Sequence, residues 1–138
     1  MDARARFAAR GLNYGFAFLA DQTMLSLMED GSAHTVAMRF PGSDSRASFE
    51  GLDPLAVRTN YFRGARKNWR TGVPSFGRLL RKNVYPGIDV VYYGNGSHLE
   101  YDFVVHPGAD PAQIRLQFRG AQRIRTGAGG DLMLTVGG

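Results

Sequence analysis

Asn95-Gly96, set between two apolar-rich runs, constrains this chain more than any other feature in it. Residues 88–93 are β-branched or aromatic apart from Asp89, and residues 99–105 alternate apolar with acidic side chains. Asn-Gly at the centre of a two-residue loop favours a type I′ hairpin turn, because both central positions need positive φ. Such a turn pairs Gly94 with Ser97. The register that follows sets Tyr92 opposite Leu99, Val90 opposite Tyr101 and Ile88 opposite Phe103, six apolar or aromatic residues on one face.

The other face of that hairpin is mixed. The same register puts Tyr93 opposite His98, Val91 opposite Glu100, and Asp89 opposite Asp102. Two carboxylates directly across a ladder repel. An arginine from a neighbouring strand, or water, is the plain remedy. A hard cation such as calcium is a sharper one, since oxygen ligands suit it. A carboxylate pair for acid–base work is the third. Asp89, Glu100 and Asp102 therefore form a candidate acidic cluster, structural or cation-binding.

The rest of the chain repeats the strand theme in shorter units. Residues 4–10, 16–20, 24–28 and 33–40 read as strands, with period two at Phe16/Phe18 and Leu25/Leu27 and with an Asp30-Gly31 turn before the fourth. Residues 49–57 are weakly patterned, and Pro54 argues against a central strand there. Residues 60–82 lack clean periodicity and carry Gly64, Gly72, Pro74 and Gly77. They read as a long connection with a short strand near 78–82. Residues 112–118 are expected as a strand with Ile114, Leu116 and Phe118 inward. Residues 122–125 and 132–136 are expected as a last hairpin around the glycines at 127, 129 and 130. Short strands at intervals of about ten to twelve residues predict an all-β, antiparallel sandwich of hairpins. At 138 residues the chain is read as a single β-rich domain, incomplete at one or both ends.

Several chemistries are excluded by composition. There is no cysteine, hence no disulfide framework and no thiolate site. No apolar run is long enough to span a membrane as a helix, and no signal peptide is visible in this chain. His34, His98 and His106 show no metal-ligand spacing, and no nucleophile-elbow or phosphate-cradling motif is present.

The clearest candidate surface lies in residues 58–82. This stretch interleaves Tyr61, Phe62, Trp69 and Phe76 with many cations and contains no acidic residue. Net charge is +5, almost all of it from arginine. Aromatic rings beside arginine hold sugars or single-stranded nucleic acid, and nucleic acid ranks last among the partners weighed. Tyr61, Arg63, Trp69 and Arg70 are the candidate ligand-binding residues. The structural reading of the same residues is that the aromatics fill the core while the arginines answer the Asp89/Glu100/Asp102 face.

Longer motifs point to a family. Asn60-Tyr61-Phe62-Arg63-Gly64 is followed by Trp69-Arg70-Thr71-Gly72-Val73-Pro74-Ser75-Phe76. Then come Val84-Tyr85-Pro86-Gly87-Ile88-Asp89, Leu99-Glu100-Tyr101-Asp102-Phe103, and Pro107-Gly108-Ala109-Asp110-Pro111. This series resembles the N-terminal domain of large bacterial secreted or cell-surface proteins that carry SBBP-type β-propeller repeats. The resemblance implies an extracellular or cell-envelope setting, a β-propeller domain in a longer parent chain, and no defined activity or cofactor. The expectation is a non-enzymatic scaffold or adhesion module whose partners are cell-surface glycans or proteins. The alternatives are a carbohydrate-binding module using the aromatic/arginine surface and a hydrolase using the carboxylate cluster.

Overall fold

A computed structural model describes residues 4–11, 13–62, 64–95 and 98–137. Among these residues every regular element is a strand, apart from single 3-10 turns at Arg66–Asn68 and Pro111–Gln113. All ladders are antiparallel, so the all-β expectation holds. The strands are β1 (Phe7–Arg10), β2 (Tyr14–Phe18), β3 (Thr23–Glu29), β4 (Ser32–Arg39), β5 (Phe49–Tyr61), β6 (Arg70–Tyr85), β7 (Ile88–Asn95), β8 (His98–Val105), β9 (Gln117–Arg119), β10 (Arg123–Thr126) and β11 (Leu132–Thr135). They divide into two compact units, one of Met1–Arg46 with Ala112–Gly138, the other of Ala47–Pro111.

The first unit holds a five-stranded sheet in the order β1-β2-β3-β4-β9 and the separate hairpin β10-β11. Phe18, Leu19, Val36, Ala37 and Phe40 are buried in it. The Asp30-Gly31 turn forms as expected, with both residues at positive φ between β3 and β4. Strand β9 corrects the sequence reading. Only residues 117–119 form a strand, preceded by a 3-10 turn, and Leu116 is exposed rather than inward. The alternation of Ile114, Leu116 and Phe118 imitates a strand, but Ala112 and Ile114 supply carbonyls to the Arg115 guanidinium instead of to a ladder. Gly120 closes the unit beside β4, where a Cβ would run into the Thr35 carbonyl.

The second unit is a four-stranded meander, β5-β6-β7-β8. Leu79, Arg81, Val84, Ile88, Val90 and Tyr92 form its buried face. Arg81 is buried there with its guanidinium over the Phe49 ring, 5.5 Å from the centroid. The region read as a connection is in fact the longest strand, the 16-residue β6, laid against the 13-residue β5. Two register shifts along that ladder break the period-two pattern, which is why no strand shows in the sequence. Pro54 is tolerated because β5 is an edge strand, where a missing N–H removes no ladder bond. Strand β6 pairs with β7 only from Arg78 onward, so residues 70–76 pair with β5 alone. The β5-β6 ribbon thus runs on as an arm of roughly 20 Å, at about 3.3 Å per residue.

Tyr85-Pro86-Gly87-Ile88 turns β6 into β7, with Gly87 at φ 69° as the third residue of a type II turn demands. The β7-β8 hairpin keeps the predicted apolar face but not the predicted register. Asn95 pairs with His98, Gly94 with Leu99, Tyr92 with Tyr101, Val90 with Phe103 and Ile88 with Val105. The ladder is displaced by two residues. Of the expected Asn95-Gly96 turn and its flanking Ser97, Gly96 and Ser97 lie outside the described residues, and Asn95 belongs to the ladder.

Candidate functional site

The two-residue displacement dissolves the expected repulsion. Asp89 lies opposite Val104 and Asp102 opposite Val91, so no carboxylate faces another across the ladder. Each acid has its own partner, and none of those partners is the arginine that the sequence offered as one remedy. Asp89 Oδ1 accepts from the Asn83 backbone N–H at 2.7 Å. Its Oδ2 lies 2.9 Å from His106 Nε2, which carries the proton, since an ionised carboxylate only accepts. Tyr93 donates its hydroxyl to Asp102 at 3.1 Å, and Asn95 Nδ2 donates to Glu100 at 2.7 Å.

The Asp89 contacts have a structural cause. Asn83 stands at φ 50° inside a β6 bulge, where Arg81 and Val84 both turn into the core with one residue too many between them. The Asp89 carboxylate binds the amide which that bulge removes from the ladder. Burial pushes this carboxyl up, but the Asn83 amide, His106 and Lys82 outweigh it and hold Asp89 below the usual aspartate range. His106, which the sequence offered only as a histidine without metal-ligand spacing, is therefore a second partner for Asp89. Its amide donates to the Gly87 carbonyl just past the Ile88–Val105 pair. The correct register, which sets Val104 opposite Asp89, was the one signal that could have found it.

Arg78 and Lys82 at the root of β6 are answered from β5. Asp53 accepts from Arg78 Nε at 2.6 Å, and Lys82 Nζ meets Glu50 at 2.7 Å. Arg78 holds the Asp53 carboxyl below its ordinary range. Asp53 itself sits at φ 53°, a left-handed position that aspartate accepts more readily than most residues. Arg78, Tyr93 and Asp102 rim an open hollow of about 350 Å³ floored by Val91 and Val104. The bond to Asp102, with burial and Glu100 adding to it, pushes the Tyr93 phenol up to about 12. Among the described residues no three His, Asp or Glu side chains gather closely enough to hold a metal ion.

The aromatic and basic candidates meet at the far end of the arm. Tyr61 lies directly opposite Arg70 across the last rung of the β5-β6 ladder. Trp69 follows the 3-10 turn and remains 42% exposed. Its indole N–H donates to the Gly64 carbonyl at 3.3 Å, inside the tip. Phe62, 58% exposed, packs edge-to-face with Trp69 at 5.0 Å between centroids, and the Arg66 guanidinium sits 5.7 Å over the indole. Arg63 lies outside the described residues. The arm itself is stiffened by side chains. Arg58 donates to the Gly72 carbonyl and the Gly72 amide donates to Asn60 Oδ1. The expectation that the aromatics fill the core is thus overturned at Phe62 and Trp69. Both rings sit past the point where β7 stops covering β6. Phe62 and Arg66 complete the tip but were absent from the four residues singled out. Their place in the same acid-free run was the available signal.

Among the described residues no helix is long and apolar enough to cross a membrane. No curated protein and no solved structure matches the chain. One family model does, over residues 1–138, and it spans both the acidic sheet face and the cationic arm: the chain belongs to the DUF7948 family, a domain of unknown function.

Proposed function

We propose that this chain is a non-enzymatic module of a bacterial secreted or cell-surface protein, acting as a scaffold or adhesion element beside a β-propeller in a longer parent chain. One observation carries the non-catalytic part. Asp89, Glu100 and Asp102 are each engaged by a hydrogen-bond donor of the same sheet, and the Asp89 pair serves a backbone bulge. Asp89, satisfied by structural donors and held below the usual aspartate range, is a poor general acid. The scaffold reading draws its support from these contacts, since a hydrolase would need acids free to flank a scissile bond.

The carbohydrate reading draws less support than the scaffold reading. A sugar platform needs a bare ring face, whereas the Trp69 indole shares a face with Arg66 and packs against Phe62. The extracellular or cell-envelope setting rests on the motif series around Tyr61, Trp69 and Pro86 rather than on geometry.

The test is a hydrolase screen of the purified chain with chromogenic glycoside, ester, phosphoester and peptide substrates, each run beside an Asp102→Asn variant. The expected result is no turnover above buffer. Turnover in the unaltered chain that disappears in the variant would replace the scaffold reading with the hydrolase one.

A further inference from the structure

The tip of the β5-β6 arm combines features that the scaffold reading leaves unused. From residue 54 to residue 88 there is no acidic side chain. The cations at the root of that stretch find Asp53 and Glu50 on β5. Arg66, Lys67 and Arg70 at the tip are exposed, and among the described residues no carboxylate pairs with them. Beside them Phe62 and Trp69 expose apolar surface at the end of a stiff ribbon. Apolar rings ringed by unanswered cations fit a surface that is itself an apolar layer under an anionic one.

We propose that the tip of the arm docks on an anionic lipid bilayer, with Phe62 and Trp69 entering the headgroup layer and Arg66, Lys67 and Arg70 meeting the phosphates. Three details favour a bilayer over a polysaccharide or a nucleic acid. The indole N–H is already satisfied by the Gly64 carbonyl, so the ring enters an apolar layer without stranding a donor. Arg66 and Phe62 occupy the positions over and beside the indole that a stacked base or sugar would need. Phe62, the more exposed ring, has no polar atom with which to read a hydroxyl or a base edge. Aromatic rings at the headgroup level and basic side chains near anionic lipid are the two usual means by which a protein holds such a surface. This inference stands on the arm alone, so it survives or fails independently of whether the chain is an enzyme.

Trp69 is the one tryptophan in the sequence, which makes the tip its own reporter. The experiment titrates the purified full chain with vesicles of phosphatidylcholine alone or mixed with phosphatidylglycerol, following Trp69 emission and its quenching by brominated acyl chains. Expected are a blue shift and quenching on the anionic vesicles, both weakened by salt. Each basic side chain near anionic lipid contributes about fivefold in partitioning. Arg66→Gln/Lys67→Gln/Arg70→Gln therefore lowers it by roughly a hundredfold. Phe62→Ser lowers it by about tenfold through lost apolar burial. Should the triple variant fail to fold, the salt series on the unaltered chain carries the decision. Unchanged emission on anionic vesicles would overturn the proposal, as would equal binding to neutral vesicles regardless of salt. A blue shift with heparin or single-stranded DNA but not with vesicles would assign the tip to another polyanion. A shift that grows with protein concentration without lipid would assign it to a second copy of the chain.

Discussion

The root and the tip of the β5-β6 ribbon are made by the same two strands from the same basic stretch, and they end in opposite states. At the root, β7 covers one side of β6. Leu79 and Arg81 are buried there, and Arg78 and Lys82 find carboxylates on β5. At the tip β6 has only β5 beside it, the rings stay exposed, and among the described residues no carboxylate pairs with Arg66, Lys67 or Arg70. The difference lies in the number of neighbouring strands rather than in composition. A cation-rich strand becomes core where a second ladder desolvates it and supplies partners, and becomes surface where none does.

The comparison can be broken at several points. The largest effect belongs to the root: Ile88→Ala, at a position with no exposed area, is expected to cost about 2–5 kcal/mol in urea unfolding. A loss well under 1 kcal/mol would mean that the root is not the core of its unit. Next comes the bulge. Asp89→Ala leaves the Asn83 amide without its acceptor and is expected to cost about 1.5–3 kcal/mol. The Asp89 carboxyl is lowered in the folded state, so its contribution is present above 3.8 and is lost as pH falls through the lowered value. The variant should accordingly unfold in acid with a shallower pH dependence. Asp89→Ala matching the unaltered chain at pH 7 would remove the structural role given to this acid.

Smaller effects sharpen the picture. Tyr93 is raised from 10.0 to about 12, so the contribution of its neutral hydroxyl is complete below pH 10 and fades as pH climbs towards 12. Asp102→Asn should return its titration towards 10, as read from the ring-carbon shifts in an NMR titration. At the tip, Phe62→Ser is expected to leave unfolding stability within about 0.5 kcal/mol, because nothing buried depends on this ring. A clear loss of stability there would show that the tip is packed after all, and the contrast with the root would vanish.

What the sequence revealed divides along physical lines. The apolar face of the β7-β8 hairpin was legible because Ile88, Val90 and Tyr92 alternate without interruption. Its register was not, since a shift of two residues leaves every side chain on the same face. The only evidence against the wrong register was electrostatic, in the Asp89–Asp102 confrontation that it created. Strands β5 and β6 were hidden for a different reason. Bulges and an edge proline scramble the period that pattern reading depends on. The acidic candidates lie on the wet face that the alternation assigns them, and their partners are a backbone amide, a histidine, a tyrosine and an asparagine, none of which the sequence pattern pointed to. Of the ligand-binding candidates, Tyr61, Trp69 and Arg70 do come together at the arm tip, by virtue of a hairpin that the sequence did not disclose.

The β7-β8 ladder also bears on how such a domain drifts over evolutionary time. Its two faces are unlike, one buried and apolar, the other wet and charged. Adding or deleting a pair of residues near the bend slides one strand past the other and returns each side chain to its own face. A single-residue change turns the strand inside out, sending Phe103 to water and Asp102 to the interior. Length variation at this bend should therefore come in even steps among relatives, with odd steps found only where a compensating bulge has arisen in the same hairpin.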